Sequence, residues 1–336
     1  MSTTEEPETH RSDAEFKASA EGLRGELLAH CYRMVGSVHD AEDLVQETYL
    51  RAWRALDQFE RRSSMRTWLY RVATNVCLNA LKASKRRPMP MYLWAEADPD
   101  DAVSERLDLP WLEPLPGALV GLAPSTPEEA VTTRESVRLA FVAIAQTLPP
   151  RQRAALILRD VLRFGAAEVA EILDTTTIAV NSSLQRAREH LARTTPTSPG
   201  AATAPLSVEQ RRRLDAYVAA WEDKNVPAIV ALLTADAVWE MPPLAAWYQG
   251  RERIGRHLAN RCPVRPGQAR LFPVDDNGQP AFATYVRDVD GTLRAVFLQV
   301  LDLGPHGIEH VYAFLDLGVF ELFGLPLVVE VGAAAR

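Results

Sequence analysis

Hydrophobic positions follow a helical period from the start of the chain as far as Leu191 and a strand-like period towards the end. A first amphipathic helix is predicted from apolar residues three or four apart, namely Leu23, Leu27, Cys31, Met34 and Val35. Gly36 and Ser37 interrupt this pattern, and Asp40 is the predicted N-cap of a second helix because its carboxylate accepts first-turn amides. That second helix has an apolar side and an opposite side rich in acidic and amide groups.

A basic segment follows this second helix. Residues 61–87 contain no Asp or Glu, but they contain eight basic residues: Arg61, Arg62, Arg66, Arg71, Lys82, Lys85, Arg86 and Arg87. Phe59, Trp68 and Tyr70 are interleaved with them. Cations for phosphates beside flat rings for exposed bases are typical of a surface that binds single-stranded or melted DNA. A solvated basic helix with a packed Trp is the structural alternative.

An acidic, proline-rich stretch separates this segment from a second helical region. Residues 88–127 are predicted to form an extended linker because clustered prolines prevent regular structure. Helical periodicity resumes at Arg134 and ends at Leu148, and a further helix is predicted over 151–162.

The following residues have the layout of a helix-turn-helix. A short helix over 166–173, a turn over 174–176 and a longer helix over 177–191 are predicted. The longer helix has an outward face of groups that pair with base edges and phosphates: Thr177, Asn181, Ser182, Gln185, Arg186 and Arg188. An ordinary helical hairpin would show the same pattern.

After a second linker at 194–205, the period changes. Residues 206–235 are predicted to be helical, and strands are predicted over 237–241, 269–274, 281–286, 293–303 and 308–315. Asn277-Gly278 and Asp290-Gly291 are hairpin signals between these strands. The fold predicted for this segment is α+β, with a curved antiparallel sheet and helices.

Composition restricts the classes of protein. The formal net charge of −7 means that DNA binding requires local basic surface. Cys31, Cys77 and Cys262 are too dispersed for a disulfide framework or a zinc site, so we expect a cytoplasmic protein without metal or other cofactor. The polar, acidic start is unlike a signal peptide, and the apolar end is broken by Glu321, Pro326 and Glu330, so no membrane association is predicted.

Two of these segments resemble regions two and four of the sigma-70 superfamily. The first is DAEDLVQETYLRAWRALDQFERRSSMRTWLYRVATNVCLNALKASKRR and the second is LPPRQRAALILRDVLRFGAAEVAEILDTTTIAVNSSLQRAREHL. Their order and separation are those of an extracytoplasmic-function (ECF) sigma factor, which is an initiation factor and not an enzyme. The resemblance implies a lead-in at 1–12, region two at 13–87, a linker at 88–133 and region four at 134–193.

The resemblance also implies partners and contact residues. Core RNA polymerase would be bound through its β′ clamp helices and β flap, with Asp40, Asp43, Gln46 and Glu47 against the clamp. The residues implied in recognition of the −10 promoter element are Phe59, Arg61, Arg62, Ser63, Ser64, Arg66, Tyr70, Arg71 and Asn75, with Met65 in the same loop. Those implied for the −35 element are Thr176, Thr177, Asn181, Ser182, Gln185, Arg186 and Arg188.

Three positions depart from the family pattern. Asn181 and Ser183 stand where a Lys and an Arg are usual, which would weaken phosphate binding, and Gly165 replaces the usual hydroxyl cap. In the linker, the acids from Glu96 to Glu113 would mimic a transcript in the polymerase channel or would belong to a passive spacer.

The C-terminal segment resembles a SnoaL-like domain, a cone-shaped relative of ketosteroid isomerases and polyketide cyclases, over 206–325, with a tail at 326–336. The pattern WEMPPLAAWYQGRERI carries this resemblance. A pocket would be lined by Trp239, Met241, Trp247, Tyr248, Phe297 and Tyr312. Asp316, His310 and Glu240 are the candidate bases if the domain were catalytic, but no paired acid–base spacing supports catalysis.

By the same resemblance, the C-terminal domain would dock on the sigma domains or their linker and regulate them. Two alternatives remain from the sequence: a cyclase- or isomerase-like enzyme tethered to a DNA-binding module, and a plain helix-turn-helix regulator. Neither alternative explains the acid-free basic segment together with the acidic helix that precedes it.

Overall fold

The computed structural model describes residues 8–59, 63–83, 86–119, 136–194, 206–276 and 279–330. The chain divides into two compact units. Unit 1 comprises Met1–Arg86, Leu119–Val137 and Ile144–Pro196, and unit 2 comprises Arg87–Ala118, Arg138–Ala143 and Thr197–Arg336. Part of the predicted linker therefore belongs to the same unit as the C-terminal segment. The following sequence predictions lie outside the described residues: Arg61 and Arg62, Lys85, residues 195–205, Asn277-Gly278 and the tail beyond 330.

Unit 1 is helical. Its first part contains α1 (Glu8–Val35), α2 (Val38–Arg54), a 3₁₀ turn (Leu56–Gln58) and α3 (Met65–Ala83). Its second part contains the end of α4 (Leu139–Gln146), then α5 (Pro150–Leu156) with a π turn (Ile157–Val161), α6 (Ala166–Ile172) and α7 (Thr177–Thr194). Helix α1 begins within the predicted lead-in, and the predicted helix start at Arg134 lies outside the described residues.

The junction between α1 and α2 differs from the prediction in its cap. Gly36 adopts a φ of 75°, a left-handed conformation that ends α1. Ser37 then precedes α2, and its Oγ accepts a hydrogen bond of 3.1 Å from the amide of Asp40. The N-cap is therefore Ser37. Asp40 lies in the first turn, where its negative charge interacts favourably with the helix dipole.

Unit 2 contains four short helices and seven strands within its described residues. The helices are α8 (Val208–Glu222), α9 (Val226–Ala231), α10 (Arg251–Asn260) and α11 (Gly318–Leu322). The strands are β1 (Leu233–Glu240), β2 (Trp247–Gln249), β3 (Ala269–Asp276), β4 (Gln279–Arg287), β5 (Leu293–Leu303), β6 (Ile308–Phe314) and β7 (Val328–Val329). The predicted continuous helix over 206–235 is wrong because Lys224 adopts a φ of 53° and Asn225 starts a new helix by capping the Ala228 amide.

The strands form one sheet in the order β2-β1-β6-β5-β4-β3, with β7 on β5. The α+β cone predicted from the sequence is confirmed, but the sheet is mixed because β1 and β6 pair in parallel. The Asp290-Gly291 turn joins β4 to β5 as predicted, with Gly291 at a φ of 85°. The core includes Tyr217 and Trp221 of α8, together with Trp239 and Phe297 of the sheet. The described helices include no apolar segment long enough to cross a membrane.

Candidate nucleic-acid and polymerase interfaces

Helix α2 presents the predicted polymerase-binding residues on its polar side. Val38, Ala41 and Val45 are buried on the opposite side, so the helical period turns the acids outward. Asp43 and Gln46 are exposed, whereas Asp40 and Glu47 are half-buried. Glu47 accepts a hydrogen bond of 2.6 Å from Arg51, which leaves Asp43 and Gln46 as the most accessible of the four predicted residues.

The side chains predicted to bind the −10 element lie around the start of α3. Ser64 caps this helix, since its Oγ accepts a hydrogen bond of 3.0 Å from the Thr67 amide. Phe59 packs on Trp68 with ring centroids 4.9 Å apart, and Ser63 is half-buried. Asn75 is exposed further along α3. The start of α3 is therefore held rigidly by a cap and an aromatic pair.

Two side chains predicted to bind the −10 element are engaged inside unit 1. Tyr70 is fully buried, and its hydroxyl donates to Glu26 at 3.2 Å. Arg66 donates to the same carboxylate, from Nε at 3.1 Å and from Nη2 at 3.0 Å. The Arg66 guanidinium also lies 5.0 Å from the ring centroids of Tyr70 and Phe164. Burial raises the pKa of Tyr70, with the Glu26 charge acting in the same direction. The sequence prediction that Tyr70 faces DNA does not hold in this conformation.

Phe164 comes from the turn before α6, so region-four residues cover part of the predicted −10 surface within unit 1. The Phe164 and Tyr70 rings meet edge to face at 5.2 Å. Arg71 lies 3.6 Å from a carboxylate oxygen of Glu171 in α6. The structure therefore brings the two sigma regions together at three of the residues that the sequence assigns to DNA.

Helices α6 and α7 form the predicted helix-turn-helix. Val169, Leu173 and Val180 are buried between them, and Asp174 turns the chain with a φ of 50°. Thr176 caps α7, since its Oγ1 accepts from the Ala179 amide at 3.2 Å. The Gly165 amide donates to Glu168 at 2.7 Å, so this carboxylate serves the helix start in place of a hydroxyl cap.

The outward face of α7 includes both free and engaged groups. Thr177, Asn181 and Arg186 are exposed, and Ser182 is half-buried. Gln185 donates a hydrogen bond to Glu189 at 2.9 Å. Arg188 forms a bidentate ion pair with Asp160, with N–O distances of 3.0 and 2.6 Å. Arg188 is therefore partly committed to a contact within unit 1.

Ile178 is an additional candidate that polar patterning does not detect. Its side chain lies at the second position of α7 and is 80% exposed, beside the exposed Thr177. An exposed branched apolar group at the start of such a helix matches the thymine methyl group in a major groove. The sequence signal is that Ile178 falls outside the apolar period formed by Val180, Leu184 and Ala187.

The predicted cone residues do not share one cavity wall. Trp239, Met241, Tyr248 and Phe297 belong to the core, where Trp221 packs 6.1 Å from Trp239 and 5.5 Å from Phe297. Trp247 is half-buried. Trp247 and Tyr312 lie on the other face of the sheet, because both pair in register with Glu240, the neighbour of Trp239. Alternation along the strands therefore separates Trp247 and Tyr312 from the other four predicted residues.

Two of the three candidate bases lie together as a His–Glu pair, and the third has a separate partner. His310 Nε2 and Glu240 Oε1 are 2.8 Å apart, and the His310 ring stacks on Tyr312 at 3.9 Å. Glu240 is completely buried and also accepts from the amide of Met91 at 2.9 Å. Asp316 accepts from the Gly318 amide at 2.9 Å, at the start of α11. Each group has a structural partner. Among the described residues, no cluster of His, Cys, Asp and Glu has the arrangement of a metal site.

Met91 belongs to the predicted linker, one of the docking surfaces that the resemblance implied for the C-terminal domain. We call residues 87–118 the strap. The strap lines β2, the edge strand of the sheet: Ala97 donates to the Trp247 carbonyl at 3.0 Å, and the Trp247 indole donates to the Trp94 carbonyl at 2.9 Å. Further on, Glu105 forms an antiparallel bridge with Leu244, and Pro116 forms one with Asp276 at the opposite edge strand. The strap thus contacts both edges of the sheet.

Acidic strap residues pair with basic residues of α10. Glu96 lies 3.5 Å from Arg253, and Asp98 lies 3.9 Å from Arg256. Asp100 binds Arg256 through its carboxylate and Arg261 through its carbonyl. These acids are among those predicted to mimic a transcript or to form a spacer, and here they hold the strap on the cone.

Comparison with known proteins identifies the family. The sigma-70 region 2 family matches residues 20–87, the sigma-70 region 4 family matches residues 138–191, and the SnoaL-like domain family matches residues 214–304. The chain is 51% identical over 314 residues to the ECF RNA polymerase sigma factor SigG of Mycobacterium tuberculosis, covering 93% of this chain and 84% of that protein. The chain belongs to the ECF sigma factors.

Another ECF sigma factor has the same cone at its C-terminus. The sequence of SigJ from Mycobacterium tuberculosis is 29% identical over 242 residues, which cover 71% of this chain and 70% of SigJ. The crystal structure of SigJ matches with a TM-score of 0.60 at 22% identity, over 92% of this chain and 99% of the SigJ chain, and supports the fold. As an ECF sigma factor, the chain is a transcription initiation factor and not an enzyme, with core RNA polymerase and promoter DNA as its partners.

Proposed function

We propose that the cone of this ECF sigma factor modulates initiation by holding the strap. The single observation that carries this proposal is the docking of the strap on both edges of the sheet and on α10. A linker between the two sigma regions has to follow the path that the polymerase offers, and a linker bound to the cone is not free to do so. The docked strap is therefore the restrained state, and the released strap is the competent state.

The contact residues in this proposal are those of the outward faces. Asp43 and Gln46 bind the polymerase clamp, with Asp40 and Glu47 at the margin of that surface. Ser63, Ser64, Arg71 and Asn75 bind the −10 element, and Thr177, Asn181, Ser182, Gln185 and Arg186 bind the −35 element. Arg66 and Tyr70 join the −10 surface only after Phe164 leaves them, so opening of unit 1 accompanies polymerase binding.

A disulfide across the strap and the cone tests the proposal. Glu105 and Leu244 are bridge partners, and antiparallel partners have Cα atoms about 4.5–5.5 Å apart, within the range of a disulfide. In a Cys262→Ser background, Glu105→Cys with Leu244→Cys fixes the strap when oxidised. Run-off transcription with core polymerase should fall at least about ten-fold on oxidation and recover on reduction.

The single variant Glu105→Cys in the same background is the matched control, since it has no partner thiol and should respond to neither treatment. Equal transcription from the oxidised and reduced double variant would show that the strap can remain docked during initiation. That result would reject the proposed modulation, and the chain would still be a sigma factor.

A further inference from the structure

Helix α10 and the residue that follows it carry a local positive charge. Residues 251–261 contain four Arg and one Glu, which gives a formal charge of +3. His257 adds none near neutral pH, because burial lowers its pKa to about 4, with Lys224 and Arg261 acting in the same direction. Arg251 is used inside the domain, where it donates to the Leu233 carbonyl from Nε at 2.8 Å. The remaining arginines, Arg253, Arg256 and Arg261, all contact the strap.

The counter-charges of these arginines come from the strap. Within the described residues, the carboxylates paired with Arg253 and Arg256 are Glu96, Asp98 and Asp100. Strap residues 87–118 contain seven acids and two arginines, a formal charge of −5. Release of the strap would therefore remove the neutralising groups and leave three adjacent guanidinium groups exposed to solvent. Arg253 and Arg256 are already 45% and 44% exposed in the docked state.

We infer that Arg253, Arg256 and Arg261 form a second DNA-binding surface, which binds backbone phosphates of promoter DNA once the strap has left. This inference rests on the proposed release of the strap. Guanidinium groups bind carboxylates and phosphates with the same planar, two-point geometry, so the acidic strap occupies the place of a phosphate backbone. The strap and DNA compete for one surface, and strap release is thereby coupled to DNA binding.

The charge distribution of the chain favours DNA as the occupant. A protein with a net charge of −7 approaches DNA only through local basic surfaces. The outward face of α7 supplies Arg186 and Arg188, and Arg188 is paired with Asp160. Additional phosphate contacts from the cone would offset this shortage without changing the promoter sequence that α7 selects.

The test measures how DNA affinity depends on salt. The full-length chain with core polymerase is titrated on a promoter duplex between about 50 and 300 mM salt. The slope of the logarithm of DNA affinity against the logarithm of salt concentration becomes shallower by about 0.9 units for each phosphate contact removed. The triple variant Arg253→Gln, Arg256→Gln, Arg261→Gln should flatten the slope by about 2–3 units and weaken binding at least about ten-fold at about 100 mM salt. The corresponding triple Lys variant should retain the slope.

The matched control neutralises Arg211, Arg212 and Arg294, three cone arginines in exposed positions, in the same way. It has the same net charge and should keep the original slope. Equal slopes for the two Gln triple variants would overturn the inference. A loss of affinity for core polymerase with an unchanged DNA slope would also overturn it, because the surface would then bind an acidic protein.

Neutralising the strap separates this inference from the proposed function. The strap is neutralised by the triple variant Glu96→Gln, Asp98→Asn, Asp100→Asn. Measured without polymerase, this variant should show a salt slope about 2–3 units steeper than that of the natural chain. Combining it with the triple variant Arg253→Gln, Arg256→Gln, Arg261→Gln should abolish that gain. An unchanged slope in the strap variant overturns the inference. Failure of the disulfide experiment alone rejects strap release as the control of initiation, while this measurement still reports on the arginines.

Discussion

At the residue scale, several polar side chains are buried with specific partners. Arg153 is 1% exposed, and its guanidinium donates to the carbonyls of Met34, Gln146 and Leu148 and to the Gln146 side chain. Burial lowers the pKa of Arg153 to about 10, with Arg86 acting in the same direction. This one side chain ties the end of α1 to the α4–α5 connection, which joins the two sigma regions of unit 1.

Arg153→Met should destabilise unit 1 by about 3–5 kcal/mol, because it leaves several buried acceptors without donors. Arg153→Lys should recover only part of this loss, since an ammonium cannot reach carbonyls on all sides. Urea unfolding followed by circular dichroism measures the change. Arg151→Met, at a nearby exposed site, is the control and should cost less than about 0.5 kcal/mol. Equal effects at the two positions would contradict the prediction.

His30 gives unit 1 a specific pH dependence. Burial lowers its pKa from 6.5 to about 3, with the Arg33 charge acting in the same direction, and its Nε2 lies 3.0 Å from Thr74 Oγ1. Above pH 6.5 the imidazole is neutral in both the folded and unfolded states. As the pH falls below 6.5, the unfolded chain takes up a proton that the folded chain does not, so the free energy of unfolding decreases.

Comparison of His30→Gln with the natural chain isolates this contribution. The variant should be less stable at pH 7, and the stability gap should narrow by about 2 kcal/mol at pH 5. Chemical denaturation at both pH values measures the gap. His39→Gln is the control, because His39 is 82% exposed. Parallel pH profiles for the natural chain and His30→Gln would rule out the buried neutral imidazole.

At the element scale, helix α7 combines a fixed start with an exposed face. Thr176 and the buried residues Val180 and Leu184 determine how the helix lies on α6, and the outward groups are left for DNA. Its polar residues were predictable from the helical period. Ile178 was not, because an apolar residue is ordinarily assigned to the core.

Ile178→Ala should relax the preference for thymine at one position of the −35 element. The discrimination lost should be about 1 kcal/mol, within the range for a single base-pair change, because the alanine methyl no longer reaches the thymine methyl group. Binding to a promoter library with each −35 position varied measures it. Val208→Ala, which truncates a side chain that is 60% exposed on α8, is the control. An unchanged base preference would exclude Ile178 from recognition.

At the scale of the whole molecule, the described structure contains two compact units with separate cores. Each unit gathers residues that are distant in sequence: unit 1 unites both sigma regions, and unit 2 unites the strap with the cone. Proteins of this kind unfold in more than one cooperative step.

Calorimetry should therefore resolve two transitions. Arg153→Met should lower the melting temperature of one, and Trp239→Ala should lower that of the other by removing a buried indole worth about 3–5 kcal/mol. The strap variant Glu96→Gln, Asp98→Asn, Asp100→Asn should shift only the Trp239-sensitive transition. A single transition that all three variants shift equally would contradict this division.

The sequence by itself determined the elements and the family. The helical and strand-like periods are local properties, so the helix-turn-helix, the acidic face of α2 and most strands follow from neighbouring side chains. The break at Lys224, the short strand β2 and the Ser37 cap were missed, because their signals are confined to very few positions.

Only the tertiary structure decided what the linker does. Its prolines and acids exclude a long helix, but they do not indicate which surface an extended chain binds, since that depends on an open sheet edge and on arginines far along the chain. Tertiary structure also decides the parallel pairing of β1 with β6 and the burial of Tyr70 beneath Phe164. Contacts between distant residues depend on how whole elements pack, and that information is not contained in the period of any single segment.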